Sequence, residues 1–355
     1  MNTHTIVTDT PVISAADYDT AAFFAEPDAI AVVTNTTAPN AVALPSPDAS
    51  TAELLAAAQE AGRRAVPAPF AETALVARPL LRRAGLAVPD GPLSYAIAPE
   101  LTIRHAHPAA SAVGSAGSVG EDDTLLVTGT LRRVPWARAA TRVIVLATAP
   151  FGPVLFTLAP GRAVLTPGGN LAEEPRDDLY LAALEIPAAQ VRRIPRELFE
   201  EAELRAALAR AALIAGAAER CVELTVAHTS ARTQFGRPLS RFQAVKQEEA
   251  RLIEESALVR AAVRAAAAPL DTGGPAARFG VAAAKTQASA SAAEIARIAH
   301  QLHGAIGITR LSPLHLATTR LWSWRDEDGD ETTWAARLAR SVTAATLWPA
   351  LTATP

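Results

Sequence analysis

Two stretches carry side chains that could do chemistry together. The first is Arg232-Thr233-Gln234-Phe235-Gly236-Arg237-Pro238-Leu239-Ser240-Arg241-Phe242-Gln243. Its guanidinium forks, an amide, a glycine that lets backbone come close and two aromatic rings suit a ligand with phosphates and a flat ring. The same residues would also serve as a helix–helix corner with a surface arginine. The second stretch, Gln301-Leu302-His303-Gly304-Ala305-Ile306-Gly307-Ile308-Thr309, offers another amide and more approachable backbone. An acidic run, Asp326-Glu327-Asp328-Gly329-Asp330-Glu331, could supply a base, although a solvated helix cap or loop is the default for such a run. His300, His303 and His315 do not combine with cysteine or glutamate into a zinc-binding pattern, so no metal is expected. No P-loop, dinucleotide glycine fingerprint or nucleophile-elbow serine is present.

The elements that must position these residues are helical on both sides of a β-rich middle. Toward the N-terminus, Ala15 to Phe24 and Ala52 to Ala65 can each make a helix, separated by a Pro/Asn/Ser-rich loop from Thr34 to Ser50. Asp48 or Ser50 could cap the second helix, with Glu53 in its first turn. Between about Pro89 and Pro187 the pattern changes to short β-branched and aliphatic runs: Leu125-Leu126-Val127, Val143-Ile144-Val145-Leu146 and Val154-Leu155-Phe156-Thr157-Leu158 read as strands. Thr148 to Pro153 reads as the turn between the last two. From Ile194 onward helical spacing returns. Val245, Leu252, Val259 and Val263, with Ile253 and Leu258 beside them, suit one apolar stripe, while Lys246, Glu249, Arg251 and Glu254 can face water. Pro269, Gly273, Gly274 and Pro275 end that helix, and another runs from near Ala276 to His303 and stops at Gly304. Long helices with short connections predict an antiparallel bundle. The domains expected are residues 1–88 (N-terminal helical), 89–190 (central β) and 191–355 (C-terminal bundle).

The pair of stretches, in this order, resembles the C-terminal domain of acyl-CoA dehydrogenases. The helical, β, helical layout extends the resemblance, and Glu60 to Phe70 looks like the place where that family's N-terminal domain passes from one helix to the next. The resemblance implies an α+β multidomain fold: a trimmed N-terminal helical domain, a central β-barrel or sandwich, and a C-terminal antiparallel four-helix bundle. It implies FAD shared across a subunit interface, with Arg232 on the pyrophosphate, Gln234 and Phe235 beside it, and Gln301, Gly304 and Ala305 on the ADP portion. Ala305 stands where the family usually has a second glycine.

The ring end departs from the family. The Thr-Glu-Pro-Gly-type segment appears as Ala96-Ile97-Ala98-Pro99-Glu100-Leu101, without the acid before the proline. In Leu131-Arg132-Arg133-Val134-Pro135-Trp136, Arg133 stands in the aromatic place and Pro135 in the hydroxyl place. Proline has no N–H to donate, and an arginine cannot reproduce an apolar ring wall. Trp136 is expected in the core or on the surface, with stacking on a flavin as the alternative. The family's reaction needs a carboxylate to remove the proton α to the thioester carbonyl while hydride leaves the β-carbon for the flavin. Counted from Gly307, the base position is Asp328, one methylene shorter than the usual glutamate, with Glu327 and Glu331 as neighbours in the run. The family's other base position holds Ala206.

The resemblance, with these departures, implies the non-catalytic or weakly catalytic partner of an α2β2 hetero-oligomer, which lends Arg232, Gln301 and Gly304 to FAD on a homologous catalytic subunit acting on an acyl-CoA. An electron-transfer flavoprotein or similar acceptor would take the electrons onward. The alternatives are a self-sufficient homotetrameric dehydrogenase with Asp328 as base, and a flavin-free scaffold.

Composition sets the remaining limits. With 33 Lys and Arg against 36 Asp and Glu, the net charge of −3 leaves no basic footprint for nucleic acid. One cysteine, Cys221, makes no internal disulfide and fits a reducing cytoplasmic setting as a small buried hydrophobe. Met1 to Thr10 lacks the pattern of a secretory signal, and the apolar run Ala206 to Ala218 is short and contains Arg210, so no membrane span is expected. Half of the residues are hydrophobic, many of them alanine, which predicts helices packed closely through small side chains.

Overall fold

The computed structural model describes residues 49–106 and 124–342. The helix expected at Ala15–Phe24, nearly all of the Thr34–Ser50 loop and the alternative cap Asp48 lie outside the described residues.

Helix α1 (Thr51–Arg63) starts at a reciprocal cap: the Ser50 hydroxyl accepts from the Glu53 N–H, and the Glu53 carboxylate accepts from the Ser50 N–H at 2.8 Å. Its buried face, Leu55, Ala58, Ala61 and Gly62, lies on helix α3 (Arg196–Ala231). Two glycines set how closely these helices approach. A Cβ on Gly216 would lie 1.8 Å from the Gln59 carbonyl oxygen, and one on Gly62 would lie 2.2 Å from that of Leu213. A widened turn, Glu72–Ala77, leads into α2 (Arg78–Arg83).

Strands β1 (Leu93–Ile97), β4 (Arg142–Ala149), β5 (Gly152–Leu158) and β8 (Arg192–Arg193) form one sheet in that order, with β1 parallel to β4. Strands β2 (Thr102–His105), β3 (Thr124–Pro135), β7 (Arg176–Pro187) and β6 (Val164–Thr166) form a second, antiparallel sheet. The sheets face each other through Val143, Val145, Phe156, Leu125, Val127 and Leu181. The other face of the first sheet, Tyr95, Ile144, Leu146 and Leu155, joins the helical core. Burial on both faces is why Val143 to Leu146 is an unbroken apolar run. The β4–β5 turn is tighter than the sequence suggests, with only Pro150 and Phe151 between the strands.

Helix α3 is surrounded: α1, α4 (Gln243–Ala265), α6 (Gly274–His303) and α7 (Leu314–Asp326) all pack on it. From Leu204 to Ala218 every residue of α3 is buried, so it has no polar stripe. The short α5 (Ala267–Thr272) turns the chain between α4 and α6, and α8 (Glu331–Ser341) packs on α6. Leu252, Val259 and Val263 form the buried stripe of α4. Ile253 and Leu258, expected beside it, are instead 49% and 45% exposed, because residues next to a stripe in sequence turn 100° away around the helix. The α+β architecture expected from the sequence is thus present, with two open sheets and no closed barrel among the described residues.

Candidate functional site

At the far end of the bundle, α3 stops at Ala231 and a two-strand hairpin returns the chain into α4. Strand β9 (Thr233–Gln234) pairs antiparallel with β10 (Arg237–Pro238), and Phe235 (φ 50°) and Gly236 (φ 77°) make the two-residue turn. Positive φ at both central residues matches the twist that such a turn requires. Phe235 is 90% exposed and meets the ring of Phe242 edge-on at 6.1 Å, while the Arg237 guanidinium sits 4.1 Å over Phe242. The Arg232 guanidinium is exposed and has no hydrogen-bond or ion-pair partner among the described residues. Helix α6 ends against the same place. His228, one turn before Arg232, stacks on His303 with ring centroids 4.6 Å apart and planes 18° from parallel. Burial pulls both imidazoles below the usual histidine range. Gly304 follows at φ 63° with open space where a Cβ would stand. The structure therefore brings Arg232, Gln234 and Phe235 to the same end of the bundle as Gln301, Gly304 and Ala305, and all six are exposed.

The other end of α3 meets the β sheets and the start of the chain's described part, and there the charges are buried and paired. Arg176 at the start of β7, 3% exposed, grips Glu327 with two parallel hydrogen bonds of 2.8 Å and reaches Glu174 at 3.0 Å. Arg210 on α3, also 3% exposed, pairs with Glu72 at 2.8 Å, Asp328 at 2.9 Å and Glu327 at 3.2 Å. The Tyr95 hydroxyl donates to the same Asp328 oxygen at 2.7 Å. Glu174 also accepts from the Trp324 indole at 2.9 Å and pairs with Arg320 at 3.2 Å. Asn170 donates to both Glu174 and Glu327. Burial would raise the Glu327 carboxyl, but Arg210 and Arg176 outweigh it and hold the group below the usual range. Burial, reinforced by Asp328, drives the Tyr95 phenol well up, so Tyr95 remains a donor. Beneath lies Lys285, pulled down to about 8 by burial, whose ammonium donates to the last carbonyls of α7, those of Trp324 and Arg325.

Two cavities flank this cluster. The larger, about 720 Å³, has the exposed Arg132 and Arg133 at its rim, Pro135 and Trp322 on its walls, and Arg176, Arg210 and Glu327 at its floor. The smaller, about 280 Å³, lies between Ile97, Pro99, Ala206 and Trp334, with the Glu203–Arg337 ion pair (3.0 Å) at its edge. Asp328 borders both. Its φ of 55° and that of Gly329 (93°) turn the chain sharply after α7, and the Trp334 indole fixes the turn by donating to the Asp328 carbonyl at 2.8 Å.

One expectation changes here and two hold. The run Asp326 to Glu331 is not simply a solvated cap or loop: Asp330 does cap α8, accepting from the Thr333 N–H at 2.8 Å, but Glu327 and Asp328 face inward to two buried guanidinium groups. Trp136 is 3% exposed and sits in the interior. Cys221 is fully buried, its thiol pushed up to about 12 by burial, as a small hydrophobe would be. Sequence reasoning missed Glu72, Tyr95, Glu174, Arg176, Arg210 and Arg320. One signal could have found them: Arg210 stands alone in an otherwise apolar helical run and must have a counter-ion.

The residues of the exposed end fit the nucleotide half of FAD: a free guanidinium, two amides and backbone that a phosphate can approach. Those of the other end do not fit its ring. The bulged backbone puts Arg133 (φ 49°) at the rim and Pro135 at the wall, and every floor guanidinium is committed to a carboxylate.

Comparison with known proteins places this architecture. Residues 202–343 match the model of the acyl-CoA dehydrogenase C-terminal domain. Acyl-CoA dehydrogenase IpdE2 of Mycobacterium tuberculosis is 45% identical over 112 residues, 31% of this chain and 33% of that protein. The Mycolicibacterium smegmatis IpdE2 is 42% identical over 105 residues, 29% of this chain and 32% of that one. The matched stretch thus spans about a third of each curated relative. Among solved structures, a chain of the ChsE4-ChsE5 complex from Mycobacterium tuberculosis superposes with a TM-score of 0.70 at 22% identity, covering 85% of this chain and 81% of that one. Butyryl-CoA dehydrogenase from Megasphaera elsdenii gives 0.68 at 17% identity, with 82% of each chain covered. No helix among the described residues is long and apolar enough to cross a membrane. The chain has the acyl-CoA dehydrogenase fold, and its residues 202–343 are similar to that family's C-terminal domain.

Proposed function

We propose that this chain is one subunit of an FAD-dependent acyl-CoA dehydrogenase assembly, and that within it the chain is the non-catalytic or weakly catalytic partner. The observation that carries the reading is the contrast between its two ends. At the hairpin end Arg232, Gln234, Phe235, Gln301, Gly304 and Ala305 are exposed. At the β-sheet end Arg176 and Arg210 are spent on Glu72, Glu174, Glu327 and Asp328. The two ends are separated by most of the length between Arg210 and Ala231, about 30 Å along α3, further than one dinucleotide reaches. A nucleotide held at the hairpin therefore directs its ring toward a neighbouring subunit. A bound flavin supplies the hydride acceptor there. This chain supplies the guanidinium for its pyrophosphate and the Gly304 backbone for the ADP portion. The ChsE4-ChsE5 complex, one chain of which shares this fold, supports a second subunit alongside this one; the assembly we propose is α2β2 with a homologous partner, an acyl-CoA thioester as substrate and an electron-transfer flavoprotein or similar protein as acceptor.

A second reading, the self-sufficient homotetramer, draws support from one feature: Asp328 borders both cavities, as a base between ring and acyl chain must. Purification of the chain alone and together with candidate homologous subunits separates the two. The helper reading expects flavin and turnover only in the mixed assembly. Tight stoichiometric FAD and turnover by the lone chain, lost in Asp328→Asn, would establish the second reading instead.

A further inference from the structure

We infer that Arg210 is the hub of a three-part ionic clasp in which Asp328, through its Oδ2, serves as a structural counter-ion. The inference rests on the reading of this chain as a helper subunit and gives its physical cause. Arg210 projects from the middle of α3, where its neighbours Ala206, Ala207, Ala209, Ala211 and Ala212 are all buried. It joins Glu72, from the helical segment before the sheets, to Glu327 and Asp328, from the turn after α7. Tyr95 closes the clasp from β1, and Arg176 closes it from β7 by taking both oxygens of Glu327. Titratable groups face Arg210 from every element packed there: Glu72, Tyr95, Arg176 with Glu174, Lys285 on α6, and Glu327 and Asp328. Arg320 is one step removed, through Glu174.

Asp328 Oδ2 accepts from both a buried guanidinium and a buried phenol, and the backbone that carries it is fixed by Trp334. Releasing that oxygen would cost the buried Arg210 one of its three carboxylates and the buried Tyr95 hydroxyl its acceptor. The same clasp keeps the floor of the larger cavity charged and self-paired. It closes the ring end without a lid.

Thermal melting of Arg210→Met against the parent chain, as a function of pH, tests the clasp. Methionine keeps most of the side-chain volume but leaves Glu72, Glu327 and Asp328 without their shared cation. In the parent, Glu327 is held low, so its contribution is present above the ordinary carboxylate range and lost as pH falls. In the variant Glu327 keeps only Arg176 and takes up a proton more readily, so the variant gains stability relative to the parent as pH falls. The melting temperature is expected to drop by about 10 °C near pH 7.5, and the gap to shrink by at least half near pH 5. A gap that does not change with pH would show that Arg210 acts only by filling space and would overturn the clasp. Should Arg210→Met fail to fold, Arg210→Lys and Asp328→Asn carry the test. Lysine should lower the melting point less in the Asp328→Asn background than in the parent; equal losses in both backgrounds would overturn the pairing. None of these readouts depends on flavin, so the clasp and the helper reading can fail separately.

Discussion

The two ends of α3 teach opposite lessons about the same kind of residue. At the hairpin end Arg232 stands in solvent on a well-formed turn, with no acid spent on it, beside amides and an open glycine. At the β-sheet end Arg210 is buried and shared among three carboxylates. An ordered surface that leaves polar groups unused is suited to receive something. An interior whose guanidinium groups are paired with carboxylates is already occupied, because any guest would have to displace those pairs at a desolvation cost. The comparison also separates what each end contributes: removal of a hairpin residue should weaken binding and spare the fold, and removal of a clasp residue should do the reverse.

The sharpest way to break that contrast is Glu327→Ala. It strips one carboxylate from both Arg176 and Arg210, and should cost about 4 kcal/mol of stability, read as a lowered denaturation midpoint. Because Glu327 is held below its ordinary value in the folded chain, the parent's advantage is expected above that range and to fade as pH falls through it. A variant as stable as the parent at neutral pH would mean that the end is not clasped. Next in size is Arg232→Ala, which should weaken flavin binding by the mixed assembly about thirtyfold, or about 2 kcal/mol, with a melting temperature unchanged. A fold as damaged as by the clasp variant would erase the distinction between the ends. The smallest effect expected is that of Gly304→Ala. The backbone there, φ 63° and ψ −147°, is one that only glycine enters easily, so alanine should lower stability by of order 1 kcal/mol. Part of that loss should reappear as weaker flavin binding, measured by titration of the mixed assembly.

Much of the fold is legible from the sequence because it is written in local rules. Ser50 and Glu53 announce the start of α1, Pro269 to Pro275 announce the break between α4 and α6, and Gly304 announces the end of α6. The strands that escape notice are the ones whose pairing is not local: β1 lies parallel to β4 across a long connection, and β7, with Arg176 and Asp177 at its start, does not read as a run of aliphatics. The candidate nucleotide end is legible because its residues lie in two contiguous stretches. The clasp is not, since Glu72, Tyr95, Arg176, Arg210 and Glu327 come from five separate segments and each looks ordinary in its own surroundings. Arg210 is the exception. Within Ala206 to Ala218 it serves at first only to rule out a membrane span, yet a lone charge in a buried helix also demands a partner.

The most direct test of the contrast is the flavin bound per chain, measured by absorbance after purification of this chain alone and of its mixed assembly with a homologous subunit. The account predicts no tightly held flavin on the lone chain, and flavin in the mixed assembly that is lost with Arg232→Ala. One flavin held firmly by each lone chain, and reduced on addition of an acyl-CoA, would contradict it.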